Sequence, residues 1–86
     1  MKGRAVLAWN VRALRVERGL SQERLAADAG IDRAYLGGIE RQVENPTIDL
    51  LDRLAQVLDV TLCDLVRLPP EGATPPVPLK RGRKKA

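Results

Sequence analysis

Five of the chain's six prolines fall between positions 69 and 78, and they limit how much of it can fold. The run Pro69-Pro70-Glu71-Gly72-Ala73-Thr74-Pro75-Pro76-Val77-Pro78 can be neither a helix nor a central strand, because proline fixes φ and has no backbone N–H to donate. It reads as an extended linker. The basic cluster Lys80-Arg81-Gly82-Arg83-Lys84-Lys85 follows it. Two parts are therefore expected: a folded domain over residues 1–68, and a Pro-rich linker with a basic disordered tail over residues 69–86.

Composition then excludes whole classes of chemistry. The chain has no histidine and a single cysteine, Cys63. His-based acid–base catalysis, Cys–His nucleophiles and Cys/His zinc sites are thereby removed. No enzyme activity, metal or cofactor is expected, and no small-molecule ligand is evident. One cysteine closes no internal disulfide, which fits a reducing cytoplasm. Cys63 itself is expected as a small buried apolar residue. No apolar run approaches the ~18 residues of a membrane span. The start, Met1 to Trp9, faintly resembles a signal peptide. Its apolar stretch is shorter than the ~7 residues an h-region needs, and Asn10 and Arg12 follow it.

Residues 1–68 carry helical spacing throughout. Leu7, Val11 and Leu14 lie at i, i+4 and i+7, and Gly19 stops that helix. Ser21 is a helix-start residue for a second segment with Leu25 and Ala26 inward, ending at Gly30. Asp32 is placed to cap a third, with Leu36, Ile39 and Glu40 on one side and Ala34, Gly37, Gly38 and Arg41 on the other, Tyr35 at the flank. Asn45-Pro46 breaks the chain. Thr47 caps a fourth helix with a stripe of Ile48, Leu51, Leu54, Ala55 and Leu58. Thr61 and Asp64 form a capping box for a short fifth, expected to bury Leu62, Leu65 and Val66. No strand is expected, and the only rings are Trp9 and Tyr35. Trp9 is expected to pack or to lie on the surface of the first helix.

The second and third helices are short and joined by the tight link Ala29-Gly30-Ile31. That is the form of a helix-turn-helix, whose second helix enters the major groove of DNA. The segments Gly19-Leu20-Ser21-Gln22-Glu23-Arg24-Leu25-Ala26, Ala29-Gly30-Ile31, Tyr35-Leu36, Ile39-Glu40-Arg41 and Asn45-Pro46-Thr47 closely resemble the Cro/C1-type (XRE) helix-turn-helix family. Residues 31–41 resemble the controller proteins of restriction–modification systems in particular. The resemblance implies an all-α, compact five-helix lambda-repressor-like DNA-binding domain. It also implies a phosphate contact from Gln22, phosphate contacts from Arg41 and Asn45, and an Arg15–Glu40 ion pair that ties the first helix to the third.

Within that frame Arg33, in the first turn of the third helix, is placed to read guanine, for which arginine is the commonest bidentate partner. The competing reading is a solvated surface arginine. Ala34 is placed to meet a thymine methyl, Tyr35 is a further DNA-contacting candidate at the flank, and Gly37 and Gly38 offer a bare surface for close approach. The sequence departs from the family in three places. Gln42 stands where glycine is usual, Val43-Glu44 replaces an often basic stretch, and two glycines interrupt the third helix.

Charge is polarised along the chain. Residues 1–41 carry eight Lys/Arg against five Asp/Glu, residues 42–68 two against five, and residues 69–86 five against one. A basic front and a basic tail suit a polyanion. The expected function is a sequence-specific transcription regulator, bound as a homodimer through helices four and five to a two-fold symmetric operator. Autoregulation and a restriction–modification role are its narrower forms. The alternative is the DNA-binding antitoxin of a toxin–antitoxin pair, disfavoured because a tail of prolines and lysines lacks apolar anchors.

Overall fold

Three of the five helix starts fall where the sequence supplies a side-chain oxygen that caps the free N–H groups of the first turn. Ser21 Oγ accepts from the Arg24 N–H at 3.0 Å, and Thr47 Oγ1 from the Leu50 N–H at 3.1 Å. Thr61 and Asp64 close a full capping box, whose bonds hold the Asp64 carboxyl below its usual range. Asp32 occupies the N-cap of the third helix but makes no side-chain capping bond. Its expected capping role is therefore not realised through the carboxylate.

The computed structural model describes residues 1–76, and the basic cluster of residues 80–85 lies outside them. Five helices follow in order: α1 (Gly3–Glu17), α2 (Gln22–Ala29), α3 (Arg33–Glu40), α4 (Ile48–Leu58) and α5 (Leu62–Leu65). No strand occurs among the described residues. α1 packs on α3 and α5, α2 on α3 and α4, and α4 on α5. Val11, Leu25, Leu36, Ile39, Leu54, Leu58 and Leu65 are all but removed from solvent at the centre. Two expectations fail on the one-turn helix α5: Val66 is 52% exposed, and Cys63 is exposed rather than buried. A single turn has no second apolar repeat to fix which face turns inward; Leu65 is its one fully buried side chain, with Leu62 packed half-buried against the core.

The first four helices end in the same hydrogen-bonded turn. In each, a residue two or three past the helix donates back across the turn: Leu20 to Arg15, Ile31 to Ala26, Val43 to Gly38 and Val60 to Ala55. This turn requires a left-handed residue. At the α2–α3 link that residue is Gly30, at φ +70°, with the Arg53 guanidinium of α4 3.5 Å from its carbonyl oxygen. At the exit of α3 it is Gln42, at φ +68°, where a side chain is strained. We expect Gln42→Gly to stabilise the fold by about 1 kcal/mol, raising Tm by roughly 4–8 °C for a domain this small. An unchanged melting curve would show the strain to be relieved elsewhere.

Beyond α5 the chain stays on the domain. The Asn10 side-chain amide donates to the carbonyls of Leu65 at 2.9 Å and Arg67 at 2.7 Å. Residues 69–76 have no helix or strand, as proline dictates, and they lie against α1 rather than leading away from it.

Candidate DNA-recognition surface

The α2–α3 pair converges on one buried carboxylate. Glu40, at the end of α3, has a fully buried side chain. Arg15 of α1 grips it twice, Nε to Oε2 at 2.7 Å and Nη2 to Oε1 at 2.9 Å, and its Nη1 donates to the Leu20 carbonyl at 2.9 Å. Arg12 Nε and Gln22 Nε2 each donate to Oε1 at 3.1 Å. Burial alone would raise the Glu40 pKa. The bonds from Arg15, Gln22 and Arg12 outweigh it and hold the carboxyl below its ordinary value. No buried side-chain polar atom among the described residues lacks a partner. The Arg15–Glu40 pair is as expected. Arg12 and Gln22 in the same network were not foreseen, although Arg12 stands one turn before Arg15 on the same face of α1.

From this hub the network runs outward. Gln22 Oε1 accepts from Arg33 Nη1 at 3.2 Å, and Arg33 Nε lies 3.7 Å from a Glu23 carboxylate oxygen. Arg33 keeps about half its side chain in solvent, at 54%. Gln22, Arg33, Gly37 and Arg41 thus share one surface. A Cβ built on Gly37 would meet Arg41 Nη1 at 3.1 Å and Gln22 Oε1 at 3.8 Å. Ala34 is exposed beside them, whereas Tyr35 is half-buried and packs against the core. Asn45 is exposed but stands apart, lining a cavity with Gly3, Arg4 and Leu7 at the start of α1.

The expected bare glycine surface is corrected by the structure. Gly37 and Gly38 are both buried. The left-handed turn at Gln42 folds residues 43–44 back over α3, with the Val43 N–H on the Gly38 carbonyl at 2.9 Å. Glu44 then lies on Gly38 so closely that a Cβ there would sit 2.6 Å from Glu44 Cγ. Arg4 Nε fixes the loop from the other side by donating to the Glu44 carbonyl at 2.9 Å. The glycines are a floor for the Arg41 and Glu44 side chains. Glu44 over the helix was not foreseen, because helical periodicity gives the direction of a residue and not what folds across it.

The helix-turn-helix family model HTH_3 matches residues 11–65. A hypothetical transcription factor of Neisseria meningitidis is 43% identical over 79% of this chain and 63% of its own length. The regulator SutR of Escherichia coli is 39% identical over 83% of this chain and 39% of its own. The chain thus spans less than two thirds of either relative. The restriction–modification controller protein C.AhdI of Aeromonas hydrophila superposes with a TM-score of 0.70 at 39% identity, over 72% of this chain and 94% of that one. SinR, a master regulator for biofilm formation solved in complex with DNA, superposes with a TM-score of 0.66 at 37% identity, over 69% and 95%.

Proposed function

We propose a function on the premise that this chain belongs to the helix-turn-helix family: it is a sequence-specific DNA-binding transcription regulator that acts as a homodimer on a two-fold symmetric operator. The observation that carries this reading is the surface where Gln22, Arg33 and Arg41 meet on the first turns of α2 and the outer side of α3. Arg33 is a fork of donors beside the entry of α3, suited to the O6 and N7 acceptors of guanine. Gln22 and Arg41 flank it as phosphate contacts that set register, with Ala34 against the groove floor and Asn45 at the backbone beyond. Tyr35, held by the core, positions α3 more than it reads bases. The similarity to SinR, whose solved structure contains DNA, supports this reading. The similarity to C.AhdI supports a controller's role in a restriction–modification system.

The dimer is assigned to α4 and α5. Ile48 is 59% exposed and Val66 52% exposed on that side, and Val66 shares a cavity with Leu7, Pro46 and Leu51. So small a core gains from a partner that covers such residues. The acidic charge of residues 42–68 suits a face turned from DNA. We assign the protein to the cytoplasm, as a binding protein rather than an enzyme; no described helix is long and apolar enough to cross a membrane.

Selection of randomised duplexes with the full chain tests the proposal. The expected enrichment is a symmetric site whose halves are about one helical turn apart, ~34–36 Å. Enrichment of no motif would overturn sequence-specific binding, and enrichment of a lone half-site would overturn the dimer.

A further inference from the structure

We infer that Glu44 is a base-reading residue: its carboxylate, folded back over Gly38 on the outward face of α3, accepts a hydrogen bond from the N4 amino group of a cytosine in each half-site. This rests on the DNA-binding reading above. Glu44 is not part of α3, yet the chain sets it there from several directions. The left-handed residue Gln42 reverses the chain at the exit of the helix. The Val43 N–H holds the turn on the Gly38 carbonyl at 2.9 Å, and Arg4 Nε holds the Glu44 carbonyl at 2.9 Å. The half-buried Glu44 side chain then fills the space that a side chain at position 38 would take. A Cβ there would stand 2.6 Å from Glu44 Cγ and 2.8 Å from Oε2. Gly38 is the seat of this carboxylate.

Position 38 lies one turn after Ala34 on the same outward face, and beside Gly37, on which Arg41 rests. The Glu44 carboxylate therefore stands among the residues assigned to DNA. The other acids of residues 42–68 do not: Asp49 and Asp52 belong to α4, Asp59 to its C-cap and Asp64 to α5. Arg4 holds Glu44 by its backbone, and neither Glu44 nor Arg41 has an ion-pair partner among the described residues. Phosphate repels a carboxylate so placed, and the donors a major groove offers it are cytosine N4 and adenine N6. Adenine sets its N7 acceptor beside N6, against the second carboxylate oxygen, whereas cytosine brings a donor with no acceptor of its own. Cytosine is thus the favoured base. From Arg33 to Gly38 the helix rises about 7.5 Å. At ~3.4 Å per pair this puts the cytosine about two base pairs from the guanine assigned to Arg33. Because its charge weakens binding to any sequence, Glu44 acts on discrimination and not on strength.

The test repeats the duplex selection with the full chain and with its Arg33→Ala, Glu44→Ala, Glu44→Gln and Gly38→Ala variants, and measures affinity for selected and random duplexes. Arg33→Ala locates the guanine. The parent should enrich a cytosine about two base pairs from it, and changing that base should weaken parent binding about five-fold or more per half-site. Glu44→Ala should lose the cytosine preference while binding random duplexes more tightly than the parent. Glu44→Gln should move the preference to adenine, whose N6 and N7 pair with a side-chain amide. Gly38→Ala keeps the charge but displaces the carboxylate from its seat, so it too should lose the cytosine preference. Unchanged base preferences in both Glu44 variants would overturn the inference whatever their affinities, since Glu44 would then be a cover for Gly38 or a repulsive charge alone. A cytosine preference retained by folded Gly38→Ala would also overturn it, because reading would not depend on the seat. If thermal melts show Gly38→Ala unfolded, the two Glu44 variants decide. Enrichment of no motif by the parent would instead bring down the sequence-specific reading on which the inference stands.

Discussion

Replacing Glu40 by alanine should lower the stability of the fold by about 3–5 kcal/mol, because it leaves the buried Arg15 guanidinium without its counter-charge. A domain of this length is stable by only roughly 5–10 kcal/mol in total, so the variant should be near half-unfolded well below the parent's Tm. Arg15→Ala should cost less, since Arg12 and Gln22 still donate to the carboxylate that remains. Arg24→Ala is the control: its pair with Asp28 at 2.9 Å lies on the surface and is worth at most about 1 kcal/mol. Chemical denaturation of the three variants should rank them in that order. Equal losses would mean that water reaches the hub and screens it. The same carboxylate gives the fold an acid limit. Its folded pKa lies below the ordinary value of 4.5, so its contribution is complete above about pH 4.5 and is lost as pH falls through the folded value. Glu40→Gln should flatten that part of the stability curve, with the Asp64 capping box contributing equally to parent and variant.

How far this hub could be read in advance differs from residue to residue. The inward side of α3 followed from spacing, and the Arg15–Glu40 pair came with the family resemblance. The caps at Ser21, Thr47 and Thr61 and the stops at Gly19 and Gly30 were equally legible, since each is a local bargain between one side chain or one φ and a few backbone groups. What escaped was whatever depended on a chain reversal at a residue with no preference for it. Gln42 and Asp59 both take left-handed geometry without being glycine, and the first of these turns lays Glu44 over α3. The proline segment shows the same limit. Proline forbids helix and sheet, which the sequence states plainly, but says nothing of the surface against which an irregular segment rests. Here that surface is made by Asn10 and Trp9, more than fifty residues earlier in the chain. Cys63 and Val66 were misplaced for want of a second helical turn.

Arg33→Ala should abolish discrimination between the selected operator and random DNA while leaving the fold intact. The side chain is half in solvent and makes only an exposed bond to Gln22 and a loose 3.7 Å approach to Glu23, so its removal costs the free protein little. On DNA the same fork is assigned to a guanine. One bidentate arginine–guanine pair supplies about 1–3 kcal/mol of discrimination. A two-fold site doubles this to roughly 2–6 kcal/mol, or about thirty-fold to more than ten-thousand-fold in specific affinity. Affinity for random duplexes should fall far less, because one charge per chain, two per dimer, changes the counterion term by about two units of salt slope at most. Arg33→Lys should not rescue, since an ammonium restores charge without the planar fork. Glu23→Gln should bind as well as the parent or better, because it frees Arg33 from its resting partner and removes an anion from the surface that meets phosphate. Retention of the parent footprint and affinity by Arg33→Ala would assign this arginine to solvent. Rescue by lysine would reduce it to a phosphate contact, and base reading would then have to come from Gln22, Ala34 and Arg41 on the same face.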